Sequence, residues 1–129
     1  RFSQSRFVHD ARFGMGWAAQ HANQHDNACN AYAEVTRRSA SETAARAQLQ
    51  IGLCRLAQKR FPDAVKELLA VVTIYDYPEH AAVALCEAGQ AQLEQKQPDE
   101  AKKLWQRVIK DYSSSKSAEK ARQLLAALK

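Results

Sequence analysis

The chain has 129 residues, enough to bury a core without disulfide or metal staples, and no apolar run approaches the ~20 residues that a membrane-spanning helix requires. Its 19 Lys and Arg against 14 Asp and Glu leave a net charge of +5, yet the basic residues are interleaved with acids, as in DEAKKLWQRVIKD, and never alternate with aromatics that would stack on bases. That pattern describes solvated helix faces and argues against a nucleic-acid partner; with only 4 Gly, 3 Pro and few β-branched runs, the composition predicts an all-α protein.

In chain order, helical periodicity predicts seven helices, at about 7–22, 26–38, 42–58, 61–75, 79–95, 98–111 and 115–128. Ahead of the first, RFSQS at residues 1–5 matches KDYSS at 110–114 in position relative to the next helix and reads as the tail of a preceding repeat. With no initiator Met, the chain reads as a piece of a longer protein. Phe2, Phe7 and Ala11 are then expected on a stacking face. His21 and His25 stand four apart, a metal-binding spacing on one helix face, but they straddle the polar stretch HANQHD, which predicts a solvated turn and no metal site. Cys29, Cys54 and Cys86 are odd in number, lack C-x-x-C spacing and lie among apolar residues, so buried free thiols are expected. Pro62 and Pro98 fall where the fourth and sixth helices begin, positions whose N–H has no partner in any case. Asp63, Asp99 and Glu100 follow at the positive end of each helix. The last helix, introduced by SSSKS, carries Ala118, Ala121, Leu124, Leu125 and Leu128 on one face and charges elsewhere, the pattern of a polar cap on a stacked array.

The segments repeat. QKRFPDAVKELLAVV, Gln58 to Val72, and QKQPDEAKKLWQRVI, Gln95 to Ile109, share residues at an offset of 37. Gly16, Gly52 and Gly89 are each followed twelve residues later by an alanine, Ala28, Ala64 and Ala101. Three helix–turn–helix units follow, at about 7–40, 43–78 and 80–114, ahead of a capping helix at about 115–128. Helices ~8–10 Å apart need a residue without bulk on each side of the contact, and the Gly and Ala are expected to supply it. Tyr32, Leu68 and Trp105, four after each Ala, and Val35, Val71 and Val108, seven after it, form the inward stripe of the second helices.

This Gly-to-Ala spacing, with the bulky and small apolar residues beyond it, resembles the tetratricopeptide repeat over nearly the whole chain. The resemblance implies a right-handed α-solenoid of three repeats and a capping helix, with the first helices lining a concave face. The chain departs from the family at its first-helix Trp and Tyr positions, which hold Arg12 and Ala19, Gln48 and Arg55, and Leu85 and Gln92. Its period also exceeds the usual ~34 residues. The junctions SQSRFVHDARFGMGWA and IYDYPEHAAVALCEAG resemble those of bacterial envelope tetratricopeptide proteins such as the TolA-binding periplasmic protein, which implies a periplasmic or envelope-associated location.

The same resemblance implies where a ligand is touched: three before and one after each Gly, at Phe13 and Trp17, Leu49 and Leu53, and Cys86 and Gln90. Arg46 and Asp10 are the nearest charges, and the paired Lys/Asn pattern of a carboxylate clamp is not evident. The implied role is a non-enzymatic scaffold, without cofactor, that docks a protein or peptide segment on the concave face. The alternative is a structural module that stacks, or pairs with a second copy, and binds no separate ligand. Catalysis has no support: there is no Gly-rich phosphate loop, G-x-S-x-G elbow or H-E-x-x-H, and Cys86 and His80, six apart, fall on different helix faces.

Overall fold

The computed structural model describes residues 2–128, with side chains from Asp10 to Leu128, and every regular element within them is an α-helix. The order is α1 (Phe2–His21), α2 (His25–Arg38), α3 (Glu42–Ala57), α4 (Phe61–Ile74), α5 (Pro78–Glu94), α6 (Pro98–Asp111) and α7 (Lys116–Ala127). Residues 2–5 continue α1 and are not the separate tail that the likeness to KDYSS suggests. No Pro or Gly interrupts the chain before Gly14, whereas KDYSS runs into a third consecutive Ser, a residue type that competes with helix by bonding its own backbone. The side chains of Phe2 and Phe7 lie outside the described residues.

The three hairpins turn alike. Asn23, Lys59 and Lys96 take left-handed conformations with φ of 60°, 59° and 61°. The next N–H reaches back five residues to a helix carbonyl: Gln24 to Ala19 at 2.8 Å, Arg60 to Arg55 at 2.9 Å and Gln97 to Gln92 at 2.9 Å. This closure satisfies carbonyls that the helix end leaves without partners. The second helix starts at once, with Pro62 and Pro98 in the first turns of α4 and α6 and no side-chain cap. α3 and α7 are capped differently: the Ser41 and Ser115 hydroxyls accept the N–H of Ala44 at 3.3 Å and of Ala118 at 3.1 Å, whereas α5 starts at Pro78 without a side-chain cap.

Each helix packs on the next in sequence. In addition α1 meets α3, α3 meets α5 and α5 meets α7, whereas α2, α4 and α6 do not meet one another. A row of touching helices beside a row of splayed ones must curve toward the touching row, so α1, α3, α5 and α7 line the inner, concave side. The core is correspondingly segmented. One cluster joins Cys29, Tyr32, Val35, Ile51 and Cys54, a second Leu49, Leu68, Val71, Ala84 and Ala88, and a third Leu85, Trp105, Val108, Ala118 and Ala121.

The stripe Tyr32, Leu68, Trp105, Val35, Val71 and Val108 is buried, as its spacing predicts. The partner of each glycine differs from the expectation. A Cβ on Gly16 would meet the Tyr32 ring at 2.7 Å, one on Gly52 a Leu68 methyl at 2.5 Å and one on Gly89 two carbons of the Trp105 ring at 2.8 Å, with the ring nitrogen nearer still. The glycine therefore houses the bulky residue one turn beyond the Ala. Ala28, Ala64 and Ala101 are fully buried one turn earlier.

All three thiols are free and buried. The hydrogen bond between Cys29 and Cys54 lowers the Cys29 pKa and, together with burial, holds Cys54 protonated, while burial pushes Cys86 up to about 11; Cys29 is only 4% exposed and so is shielded from reagent. Because the thiolate is the reactive form, native protein at pH 7.5 should label slowly with a chromogenic disulfide reagent, and three thiols should appear on denaturation. Rapid native labelling of two or more would contradict this packing.

Candidate protein-binding surface

The inner row presents different side chains from one end to the other. On α1, the Trp17 ring is 51% exposed and stacks on His21 with centroids 3.6 Å apart, and an imidazole nitrogen of His21 lies 2.9 Å from the Trp17 carbonyl oxygen. These contacts hold a large aromatic face at the surface without sealing it. Phe13, one turn earlier, is half-buried against the Tyr32 ring at 5.2 Å. The Arg46 guanidinium of α3 lies 4.6 Å above the Phe13 ring centre, a cation–π contact between neighbouring helices. Arg46 itself is exposed and has no carboxylate partner among the described residues.

Two of the positions three before a glycine are not surface positions. Leu49 is only 6% exposed and packs with Leu68, Val71, Ala84 and Ala88, while Cys86 is 1% exposed. Helical side chains lean toward the N-terminus, which here carries this position into the gap between successive inner helices, where the small Ala84 and Ala88 leave room for Leu49. Leu49 is thus a core residue and not a ligand contact. The positions one after the glycine remain open to different degrees: Trp17 is exposed, Leu53 is half-buried at the edge of the second cluster, and Gln90 is half-buried. Gln90 helps line a cavity of about 370 Å³ together with Leu56, Ala57, Phe61, Glu87 and Glu94. The structure therefore gathers Phe13, Trp17 and Arg46 at one end of the row and sets Gln90 apart at the α5 end.

The sequence reading missed the polar braces across the row. Gln20 donates to the Gln50 amide oxygen at 3.1 Å and accepts the Tyr32 hydroxyl at 2.7 Å. His80 and Glu42 meet at 3.1 Å between α5 and α3, and Lys120 donates to Glu87 at 3.1 Å between α7 and α5. The Glu87 carboxylate raises the Lys120 pKa above its ordinary value. Gln50 and Glu87 are equivalent by the 37-residue offset, so the register could have found them. His80 is taken up by Glu42, and Cys86 lies in the core. Among the described residues no three His, Cys, Asp or Glu side chains converge as metal ligands, and no helix is long and apolar enough to cross a membrane.

Stacked helical hairpins with a segmented core and a surface-lining inner row define an α-solenoid scaffold. The chain belongs to the tetratricopeptide-repeat family, whose repeat matches residues 13–79 and again 84–115. Repeats of this family are modules of protein–protein interaction. Among solved structures, the N-terminal domain of stress-induced protein-1 from C. elegans is similar, with a TM-score of 0.77 over 91% of this chain and 94% of that one. At 17% identity that likeness concerns the fold alone. Among curated proteins no relative matches the sequence.

Proposed function

We propose that the three hairpins and α7 form one non-enzymatic scaffold, and that a protein or peptide segment docks on its concave row at the end where α1 adjoins α3. The observation that carries this reading is Trp17, a half-exposed, His21-braced aromatic one turn along α1 from Phe13, over whose ring lies Arg46, a guanidinium without a carboxylate partner among the described residues. Binding energy concentrates at aromatic and arginine anchors. A segment offering an apolar side chain to Trp17 and Leu53 and a carboxylate to Arg46 satisfies both. Gln90 and its cavity extend the contact toward α5.

Peptides selected from a displayed random library on the wild-type chain test the reading. Trp17→Ala and Arg46→Glu are each expected to weaken the selected peptides about tenfold or more, with the urea midpoint unchanged. Peptides that bind both variants as well as wild type would place the binding site elsewhere.

A further inference from the structure

Cys29 of α2 and Cys54 of α3 lie in one core cluster, 4% and 0% exposed, with their side chains in hydrogen-bond contact. Cys86 is held apart from them, in the cluster of Leu85 and Trp105. Packing does not require the two sulfurs. The repeat register carries Cys29 to Val65 on α4 and Cys54 to Ala91 on α5, and at that second crossing both positions are buried without a thiol.

We infer that Cys29 and Cys54 are a covalent modification site, which a low-molecular-weight disulfide oxidises to one intramolecular bridge that staples α2 to α3 within the folded array. A bridge spans only ~3.5–4.5 Å between its Cβ atoms, so the two sulfurs must already face one another. A thiol–thiol contact across two packed helices meets that requirement. The two thiols also have distinct parts. The Cys54 S–H donates to the Cys29 sulfur, which lowers the Cys29 pKa against the opposing effect of burial, and the Arg55 guanidinium adds to the lowering. Arg55 is itself fixed at the α2–α3 boundary by Asp26, at 3.1 Å. Cys29 is thus the attacking thiol and Cys54 the resolving one.

The Cys29 thiolate attacks one sulfur of the reagent, whose S–S bond breaks and releases one thiolate. That thiolate takes the Cys54 proton. The Cys54 thiolate then attacks the Cys29 sulfur of the mixed disulfide and expels the other half of the reagent, which takes up the proton that Cys29 gave to solvent. Two protein thiols are oxidised to one disulfide and one reagent molecule is reduced to two thiols, so no further oxidant enters. Access comes through the first hairpin, which among the described residues is held only by α2 on α3 and α1 on α3. A hairpin with a neighbour on one side opens more readily than one with neighbours on both. Oxidation is therefore slow, as native labelling is, but not blocked.

The reduced whole chain is incubated with bis(2-hydroxyethyl) disulfide until its mass no longer changes, then alkylated. It is mapped without reduction by trypsin, which cuts at Arg37, Arg38 and Arg46 between the two cysteines. The expected product is a monomer lighter by two hydrogens, with one linked peptide pair carrying Cys29 and Cys54, and with Cys86 alone free on denaturation. Its circular dichroism should be unchanged and its urea midpoint raised, because the bridge closes the chain between residues 29 and 54 in the unfolded state. A reductant should return the midpoint to its starting value. Cys86→Ala should form the same bridge. Cys54→Ala, which supplies at this crossing the residue that Ala91 supplies at the next, should form none. Three free thiols, a bridge through Cys86 or between two chains, or stable mixed disulfides at Cys29 or Cys54 would overturn the inference. So would a bridged product with a lost helical signal or a lowered midpoint, because the bridge would then belong to an unfolded chain.

Discussion

Trp105→Ala is expected to cost about 3–5 kcal/mol, the loss typical of removing a large aromatic from a packed core. Trp105 is fully buried, and its indole N–H donates to the Cys86 carbonyl at 3.0 Å. It fills the notch that Gly89 leaves on α5, and its cluster includes Ala118 and Ala121 of α7. Its removal therefore loosens α5, α6 and α7 together. In an array stabilised by nearest-neighbour contacts, the effect should concentrate in the C-terminal third. Urea unfolding followed by circular dichroism will show a lowered midpoint, and amide exchange should quicken in α6 and α7 before α2 and α3. Emission provides a second readout. Trp105 is the only buried Trp and Trp17 is half-exposed, so the variant should keep only the red-shifted, solvent-facing component. An unchanged midpoint would mean that Trp105 does not sit in this notch.

The positions of the hairpins were legible because three separate signals agree on them: a polar break, a proline at the start of α4 and α6, and an apolar stripe that returns at a fixed offset. The turn geometry was not legible. Lys59 and Lys96 adopt a left-handed conformation that glycine usually supplies, and a lysine carries no composition signal for it. At the candidate surface, the register located both the open positions one after each glycine and the positions three before. It could not separate them, because exposure depends on the size of the neighbour. Leu49 is buried because Ala84 and Ala88 make space for it, and Phe13 is half-buried because Tyr32 and Arg46 close over it. The braces Gln20–Gln50, Glu42–His80 and Glu87–Lys120 join residues 30 to 38 apart. They depend on which helices are neighbours in the inner row, and periodicity within one helix is silent on that.

Substituting alanine for glycine separates packing from helix propensity, because the two act in opposite directions at two sites. Gly14 and Gly89 both lie inside helices, where Gly→Ala by itself favours the helix by about 0.5–1 kcal/mol. Around Gly14 a Cβ meets nothing within 4 Å, so Gly14→Ala should stabilise the chain by about that amount. At Gly89 the Cβ would come within 2.8 Å of two ring carbons of Trp105 and closer still to its Nε1. The indole is rigid, fully buried and tied to the Cys86 carbonyl, so it cannot swing aside. The two helices must instead separate, and overpacking of this kind typically costs about 1–3 kcal/mol. With a rigid ring on one side and backbone on the other, the net loss for Gly89→Ala should fall near 2 kcal/mol even after the propensity gain. Gly52→Ala should also destabilise, because its Cβ would meet Leu68 Cγ at 2.6 Å and the Leu68 backbone nitrogen at 3.3 Å. Urea midpoints of the three variants, measured with unchanged slopes, give the ordering directly. A Gly89→Ala midpoint at or above that of wild type would show that α5 and α6 do not cross with Trp105 against Gly89.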